Sequence, residues 1–249
     1  MHVTLEGETA LVTGGARGIG RGIALGLAEA GAALAVADRD TDGVEATAAV
    51  IRERGGRVVA VTADVSRAED VRAMVDAALS ELGSLDILVN NAAIDNAKPV
   101  AEMPLELWQE MIDVNLTSVF LCCRAVLPSM IERRKGRIVN LGSNLALKGG
   151  ERLAHYCAAK AGVHGFTRAL ALEVAQYGIT VNVVAPGPVE TDMLFSLPDD
   201  WLEAKRAELP IKRFGTVEEI VPTVVLLASS AGSFFVGSTV NVSGGDVMM

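Results

Sequence analysis

The sequence predicts a doubly wound α/β fold, one parallel sheet of seven strands in a single domain over residues 1–249. Three observations predict it. Strand-like and helical patterns alternate along the chain, the order expected of repeated β-α-β units. Several strand runs are rich in Ile, Leu and Val without polar alternation, as when helices cover both sheet faces. Gly makes up 25 of 249 residues, as suits a fold with many tight strand-to-helix turns.

The elements follow in order. Apolar runs at 8–13 (ETALVT), 33–38 (ALAVAD), 57–62 (RVVAVT), 85–90 (LDILVN), 136–141 (GRIVNL), 179–184 (ITVNVV) and 238–242 (STVNV) read as strands. Between them, helical patterns cover 18–30, 41–54, 67–82, 104–134, 154–177 and 217–229. The stretch 191–215 breaks this rhythm with Pro198, Asp199, Asp200, Trp201 and Pro210, and a short helix is expected near 200–209. A long insertion between strand and helix suits a lid or binding loop; packing against a neighbouring subunit is the alternative.

Composition excludes some partners. The net charge is −9, so no basic stripe exists to attract nucleic acid or an anionic membrane. No apolar stretch is read as spanning a bilayer, and the N-terminal segment lacks a charged region followed by an apolar run. Cys122, Cys123 and Cys157 show no C-x-x-C spacing and read as buried apolar side chains in a reducing compartment. The expectation is a cytoplasmic, soluble protein.

Two sites carry chemistry. The first strand runs into TGGARGIG at 13–20 and then a helix. Gly14 can turn out of the strand, Gly18 can let a pyrophosphate approach the helix N-terminus, and Gly20 can let helix and strand pack closely. The spacing is G-x-x-x-G-x-G, and its place between strand and helix gives it weight. Asp38 ends the second strand, where a carboxylate can accept hydrogen bonds from both adenosine ribose hydroxyls and repel a 2′-phosphate. That favours NAD, with NADP as the alternative because Arg17 and Arg39 could offer charge to a 2′-phosphate. A carboxylate near a helix start is the bland reading of Asp38.

The second site is Ser143 with Tyr156 and Lys160, the last two at i and i+4 on one helix face. A free Tyr ionises near pH 10, and a neighbouring ammonium favours the phenolate. Bringing Tyr156 to about 7 requires roughly 4 kcal/mol, asked here of Lys160 and a cationic nicotinamide. Ser143 could hold the substrate oxygen.

These motifs resemble the short-chain dehydrogenase/reductases over essentially the whole chain. The matching pieces are TGGARGIG, Asp64-Val65, Asn90-Asn91-Ala92, Asn115 in VNLTSVF, Ser143, Tyr156 with Lys160, and Pro186-Gly187 with Thr191. The resemblance implies a Rossmann-like domain and a tetrad of Asn115, Ser143, Tyr156 and Lys160. Tyr156 would be the acid/base, Ser143 would orient substrate, Lys160 would tune the Tyr and hold the nicotinamide ribose, and Asn115 would anchor a relay water. It also implies a cofactor surface of Gly14, Arg17, Gly18, Ile19, Gly20, Asp38, Arg39, Asp64, Val65, Asn91, Ala92, Pro186, Gly187, Val189 and Thr191, shared with Tyr156 and Lys160. Two positions depart from the family pattern: Ala93 where Gly is common, and Ser243 where an acid usually precedes the final Gly-Gly.

Asn144 and His155 flank the tetrad and are expected to touch substrate, in a polar neighbourhood with Asp95, Asn96, Lys98, Glu151 and Arg152. That favours a sugar, polyol or small hydroxylated alcohol or carbonyl compound. Met193, Leu194, Phe195 and Trp201 offer an apolar wall instead. His164 is read as a packing residue, and no metal is expected because no ligand cluster accompanies it. The competing reading is an NADPH-dependent 3-oxoacyl-[acyl-carrier-protein] reductase, set against Asp38 and the lack of a basic patch for an acidic carrier. By resemblance the chain is expected to form a homotetramer or homodimer through 104–134, 154–177 and its C-terminal region, whose end 247–249 is apolar.

Overall fold

Seven parallel strands form one sheet in the order β3-β2-β1-β4-β5-β6-β7 in a computed structural model that describes residues 3–248. Met249, part of the apolar end expected to meet a subunit, lies outside the described residues. The strands are β1 (Thr9–Thr13), β2 (Ala33–Asp38), β3 (Val58–Thr62), β4 (Ile87–Asn90), β5 (Gly136–Leu141), β6 (Ile179–Pro186) and β7 (Thr239–Val242).

Both faces of the sheet are covered, which is why its strands read as continuous apolar runs. Along β1, Ala10 and Val12 point into one core and Leu11 into the other. The first core meets α1 (Gly18–Glu29) and α10 (Val217–Ala228) through Ile23, Leu27, Val224 and Leu227. The second meets α3 (Ala68–Leu82), α5 (Ser118–Arg133) and α7 (Ala154–Val174) through Met74, Cys122, Met130, Val163 and Leu170. Helix α2 (Thr41–Glu53) starts on Asp40, whose carboxylate accepts from Gly43 N at 3.0 Å.

The expected helix over 104–134 is not continuous. It comprises α4 (Leu105–Ile112), a π-helical turn (Asp113–Thr117) and α5, with Asn115 in the wide turn. Hydrophobic periodicity does not reveal such a turn, because inserting one residue into the ladder preserves the helical path. The run Leu105–Arg133 also has the length and hydropathy of a membrane span, contrary to the sequence reading; α5 lies against α3, α7, β4 and β5 as a core helix.

The interrupted stretch contains α8 (Asp192–Phe195) and α9 (Asp199–Glu208). Leu194, Leu202, Leu209 and Phe214 form their own small core, packed by Leu197. A short parallel bridge between Val189 and Gly215 closes its stem.

Candidate active site

Helices leave β1 and β4 on different sides of the sheet, so a crevice opens beyond their C-terminal ends, where such sheets bind ligands. The Gly-rich turn lines it. Gly14 has φ +68°, and a Cβ there would fall 2.7 Å from the Ala92 Cα. A Cβ on Gly20 would fall 2.0 Å from the Gly14 carbonyl oxygen, so helix and turn meet only through Gly. Helix α1 begins with no side-chain cap on Arg17 and no acid in its first turn. Its first N–H groups and positive dipole end suit a pyrophosphate, and these residues fit a dinucleotide. Ile19 is half-buried at this helix start.

Asp38 is held from both sides. Its Oδ2 accepts from Ala16 N at 3.1 Å and its Oδ1 from Asp40 N at 3.1 Å. The carboxylate is therefore fixed at the crevice rim with acceptor capacity to spare. Arg17 and Arg39 are exposed. Asp64 Oδ1 accepts from the Ser66 hydroxyl at 2.6 Å and Ser66 N at 2.9 Å. The Ser66 hydroxyl bond, helped by Arg39 and Arg67, holds its carboxyl below the usual range. Val65 beside it is buried.

The motif after β4 braces the crevice more than it lines it. Asn91 Nδ2 donates to the carbonyls of Thr13 (3.1 Å) and Gly14 (3.0 Å). The amides of Asn91 and Ala92 donate to Thr13 Oγ1 at 3.1 and 3.3 Å. Asn115 is fully buried and grips Ile94: its Oδ1 accepts from Ile94 N and its Nδ2 donates to Ile94 O, both at 2.9 Å, with Met111 Sδ 3.0 Å from the same Nδ2. Its side chain is thus held by the post-β4 loop. The π turn is what carries the amide to that loop.

Ser143 follows β5, and Tyr156 and Lys160 share a face of α7 that meets it. Lys160 is 3 % exposed, its Nζ donates to Leu141 O at 2.8 Å, and it lies 5.8 Å from the Tyr156 ring centre. Burial pushes its ammonium down to about 8, against the pull of Asp95. Tyr156 is raised above its ordinary value, first by the surrounding protein and then by the Asp95 charge, while Ser143 acts the other way. Desolvation dominates, so the expected lowering below the ordinary value is not seen in the chain alone, and Tyr156 stays protonated at neutral pH as a free Tyr does. Ser143 Oγ accepts from Leu145 N at 3.1 Å and makes a long bond at 3.5 Å to Asn144 Oδ1, a weak contact that a substrate oxygen can displace.

The two expected substrate neighbours are both buried and hydrogen-bonded within the chain. His155 is fully buried and its Nε2 lies 2.7 Å from Asn96 Oδ1, tying α7 to the post-β4 loop. Asn144 is buried; its side chain donates to Asp246 and its amide to Pro186 O at 3.1 Å. Asp95, by contrast, is exposed in the cleft, where its surroundings push its carboxyl up against the pull of His155 and Lys160. His164 is buried against Gly142 and Val183, and its Nε2 has no partner.

Pro186 and Gly187 end β6, and the Gly187 amide donates to Val242 O at 2.9 Å. Val189 sits in the lid stem. Thr191 caps α8 through Leu194 N at 3.4 Å, and its methyl faces Gly18 across the crevice. Sequence reasoning missed Thr13, Ile94, Lys148, Lys205 and Asp246. For Asp246 a signal existed, an acid just after the Gly-Gly where Ser243 replaces the usual one before it.

Comparisons with known proteins agree with this geometry. The family described as short chain dehydrogenase matches residues 8–201. A 3-oxoacyl-[acyl-carrier-protein] reductase FabG of Staphylococcus epidermidis is 42 % identical over 242 residues, covering 97 % of this chain and 99 % of the relative. The FabG of Vibrio cholerae is 41 % identical over 247 residues, covering 99 % and 100 %. Among solved structures, an Agrobacterium tumefaciens protein provisionally assigned as a gluconate dehydrogenase superposes with TM-score 0.95 at 40 % identity, covering all of both chains. A short-chain type dehydrogenase/reductase from Mycobacterium marinum gives TM-score 0.95 at 36 % identity, covering 100 % of this chain and 98 % of the other.

Proposed function

The chain belongs to the short-chain dehydrogenase family and is an oxidoreductase acting on CH–OH or carbonyl groups with a nicotinamide cofactor; on that premise we propose that it reduces the 3-oxo group of an acyl thioester and prefers NADH. The substrate rests on one observation: the 3-oxoacyl-[acyl-carrier-protein] reductases are 42 % identical over 97 % of the chain. The cofactor preference rests on Asp38, whose fixed carboxylate suits two ribose hydroxyls and opposes a 2′-phosphate.

Held by the Gly14–Gly20 turn and Asp38, a reduced nicotinamide cofactor would supply the hydride for the substrate carbon. Tyr156, held protonated by its surroundings, donates its proton to the carbonyl oxygen. Ser143 donates a hydrogen bond to that oxygen as charge builds. Lys160, desolvated and close by, shares the phenolate charge that Tyr156 acquires. Burial thus favours the acid form, which suits reduction. The reverse direction needs a base and leans more on the cofactor's positive charge.

A second reading is oxidation of a sugar, polyol or other hydroxylated alcohol with NAD. Asp95, an exposed acceptor in the cleft, favours it. A crossed assay of reduced-nicotinamide absorbance separates the two. Acetoacetyl-CoA is offered with NADH or NADPH; sugars, polyols and hydroxy acids are offered with NAD. Turnover of acetoacetyl-CoA with NADH supports the first reading, and turnover only with polyols and NAD replaces it with the second. Asp38→Ser should raise kcat/KM with NADPH by about tenfold or more by removing the repulsion. Unchanged selectivity would sink the Asp38 argument.

The finer biology follows the same reading. Exposed Phe120 on α5 and Leu172 on α7 support association into a homodimer or homotetramer, which light scattering measures. The three cysteines are free, in keeping with a cytoplasmic setting.

A further inference from the structure

The tail that follows β7 runs back beneath the lid and ends in a polar junction. Ser243 closes a tight turn there, donating from Oγ to Val247 O at 3.2 Å and accepting from Val247 N at 3.4 Å. Asp246 N donates to Ser243 O at 3.1 Å, which aims the carboxylate inward. The Asp246 side chain is only 4 % exposed.

Three groups from two other parts of the chain meet it. Lys205, on lid helix α9, reaches Asp246 Oδ1 at 2.7 Å. Lys148, at the end of the short helix α6 (Leu145–Lys148), reaches the same oxygen at 2.6 Å. Asn144, next to Ser143, donates to Oδ2. The tail also seats the lid by contact: Cβ atoms on Gly244 and Gly245 would fall 2.7 Å from Ile211 and 2.8 Å from Pro210.

We infer that Asp246 is a positioning residue: by gathering Lys205, Lys148 and Asn144 on one buried carboxylate, it fixes the lid helix and the Ser143 segment at one distance across the cleft. Among the described residues, the lid's other ties to the body include the Gly244 and Gly245 contacts and an exposed ion pair at 2.6 Å from Arg213, at the end of the insertion, to Glu219 on α10. The lid's own core has four buried residues, and its stem is a single bridge. Two ammoniums share one oxygen of Asp246, so neutralising that carboxylate leaves two like charges facing each other at the lid base. Lys205 retains only Glu208, on the same helix, at 3.0 Å. The lid then swings outward, and the Ser143 segment loses its brace through Asn144.

The inference rests on the lid and Ser143 serving the oxidoreductase site; it does not depend on which substrate is used. Trp201 lies on α9 and reports on the lid, since Trp108→Phe removes the other Trp. In that background, Asp246→Asn and Lys205→Met should each raise acrylamide quenching of Trp201 at least twofold. The double variant should be no worse than Asp246→Asn alone, because the one contact that Lys205→Met removes is already lost there. KM for acetoacetyl-CoA should rise about tenfold with a smaller loss in kcat, and Asp246→Glu should recover part of it. If Asp246→Asn fails to fold, Lys205→Met decides alone, since it leaves Lys148 paired. Unchanged quenching in folded variants, or additive effects in the double variant, overturns the inference. Quenching is read without turnover, so it stands even if neither acetoacetyl-CoA nor NADH proves to be used.

Discussion

The catalytic helix and the lid face each other across the cleft and are held by different forces. Helix α7 runs 21 residues and buries Ala159, Val163, Thr167, Leu170, Ala171 and Val174 against the sheet, with Lys160 and His164 buried among them. A buried polar ladder adds to this: Asn90 donates to Asn140 at 2.8 Å, and Asn140 to Thr167 at 2.9 Å. The lid has four buried residues of its own; Lys205 on α9 meets the buried Asp246, and Arg213 at its end meets Glu219 of α10 in an exposed pair. The difference follows from what each must do. On the proposed function, the side that transfers the proton must keep its atoms in place, while a lid that admits substrate must open at low cost.

The largest expected effect tests the rigid side. Tyr156→Phe should cut kcat on the order of 10³-fold while NADH binding and thermal stability stay unchanged. Retained turnover would remove Tyr156 from the proton transfer.

Leu202→Ala tests the lid. Leu202 is buried in the lid core, and its truncation should cost about 2–4 kcal/mol there. The expected outcome is faster proteolysis confined to residues around 192–214 and a raised KM, with the main unfolding transition little moved. A transition lowered as a whole would show that lid and platform melt together and would break the comparison.

A third expectation concerns acid. Burial, then the charges of Arg168 and Lys160, push His164 down to about 4 from 6.5. Between those values the unfolded chain binds a proton that the folded chain refuses, so stability falls as pH drops from 6.5 towards 4. The full effect is on the order of 3 kcal/mol. His164→Leu should flatten that part of the stability curve, measured by urea denaturation at several pH values. An unchanged slope would place the acid sensitivity elsewhere.

The smallest expected effect separates the regions by salt. Raising ionic strength should increase Trp201 quenching modestly and leave the α7 side unmoved, because a largely buried pair is screened less than a surface one. Equal response on both sides would argue against a charge-held lid.

Much of the site was legible from spacing alone. Gly14, Gly18 and Gly20 bracket a turn, and Tyr156 and Lys160 are one helical turn apart, so short-range geometry places each set on one element. Roles were harder to read than positions. Asn115 and His155 brace the post-β4 loop at Ile94 and Asn96, since a buried amide or imidazole takes the nearest backbone or amide partner, and no spacing in the sequence announces those contacts. Asn144 is tied for the same reason to a carboxylate 102 positions later.

What the sequence by itself determined is therefore the local part: seven strands, the helices between them, the glycine turn and the Ser143, Tyr156, Lys160 set. Each follows from periodicity or from residue types within a few positions of one another. Tertiary structure alone decided the π turn at Asp113–Thr117, the burial that raises Tyr156 above its ordinary value, and the meeting of Asn144, Lys148, Lys205 and Asp246. Those depend on desolvation and on contacts between residues distant in the chain. Such contacts exist only once the sheet has set the distance between its loops.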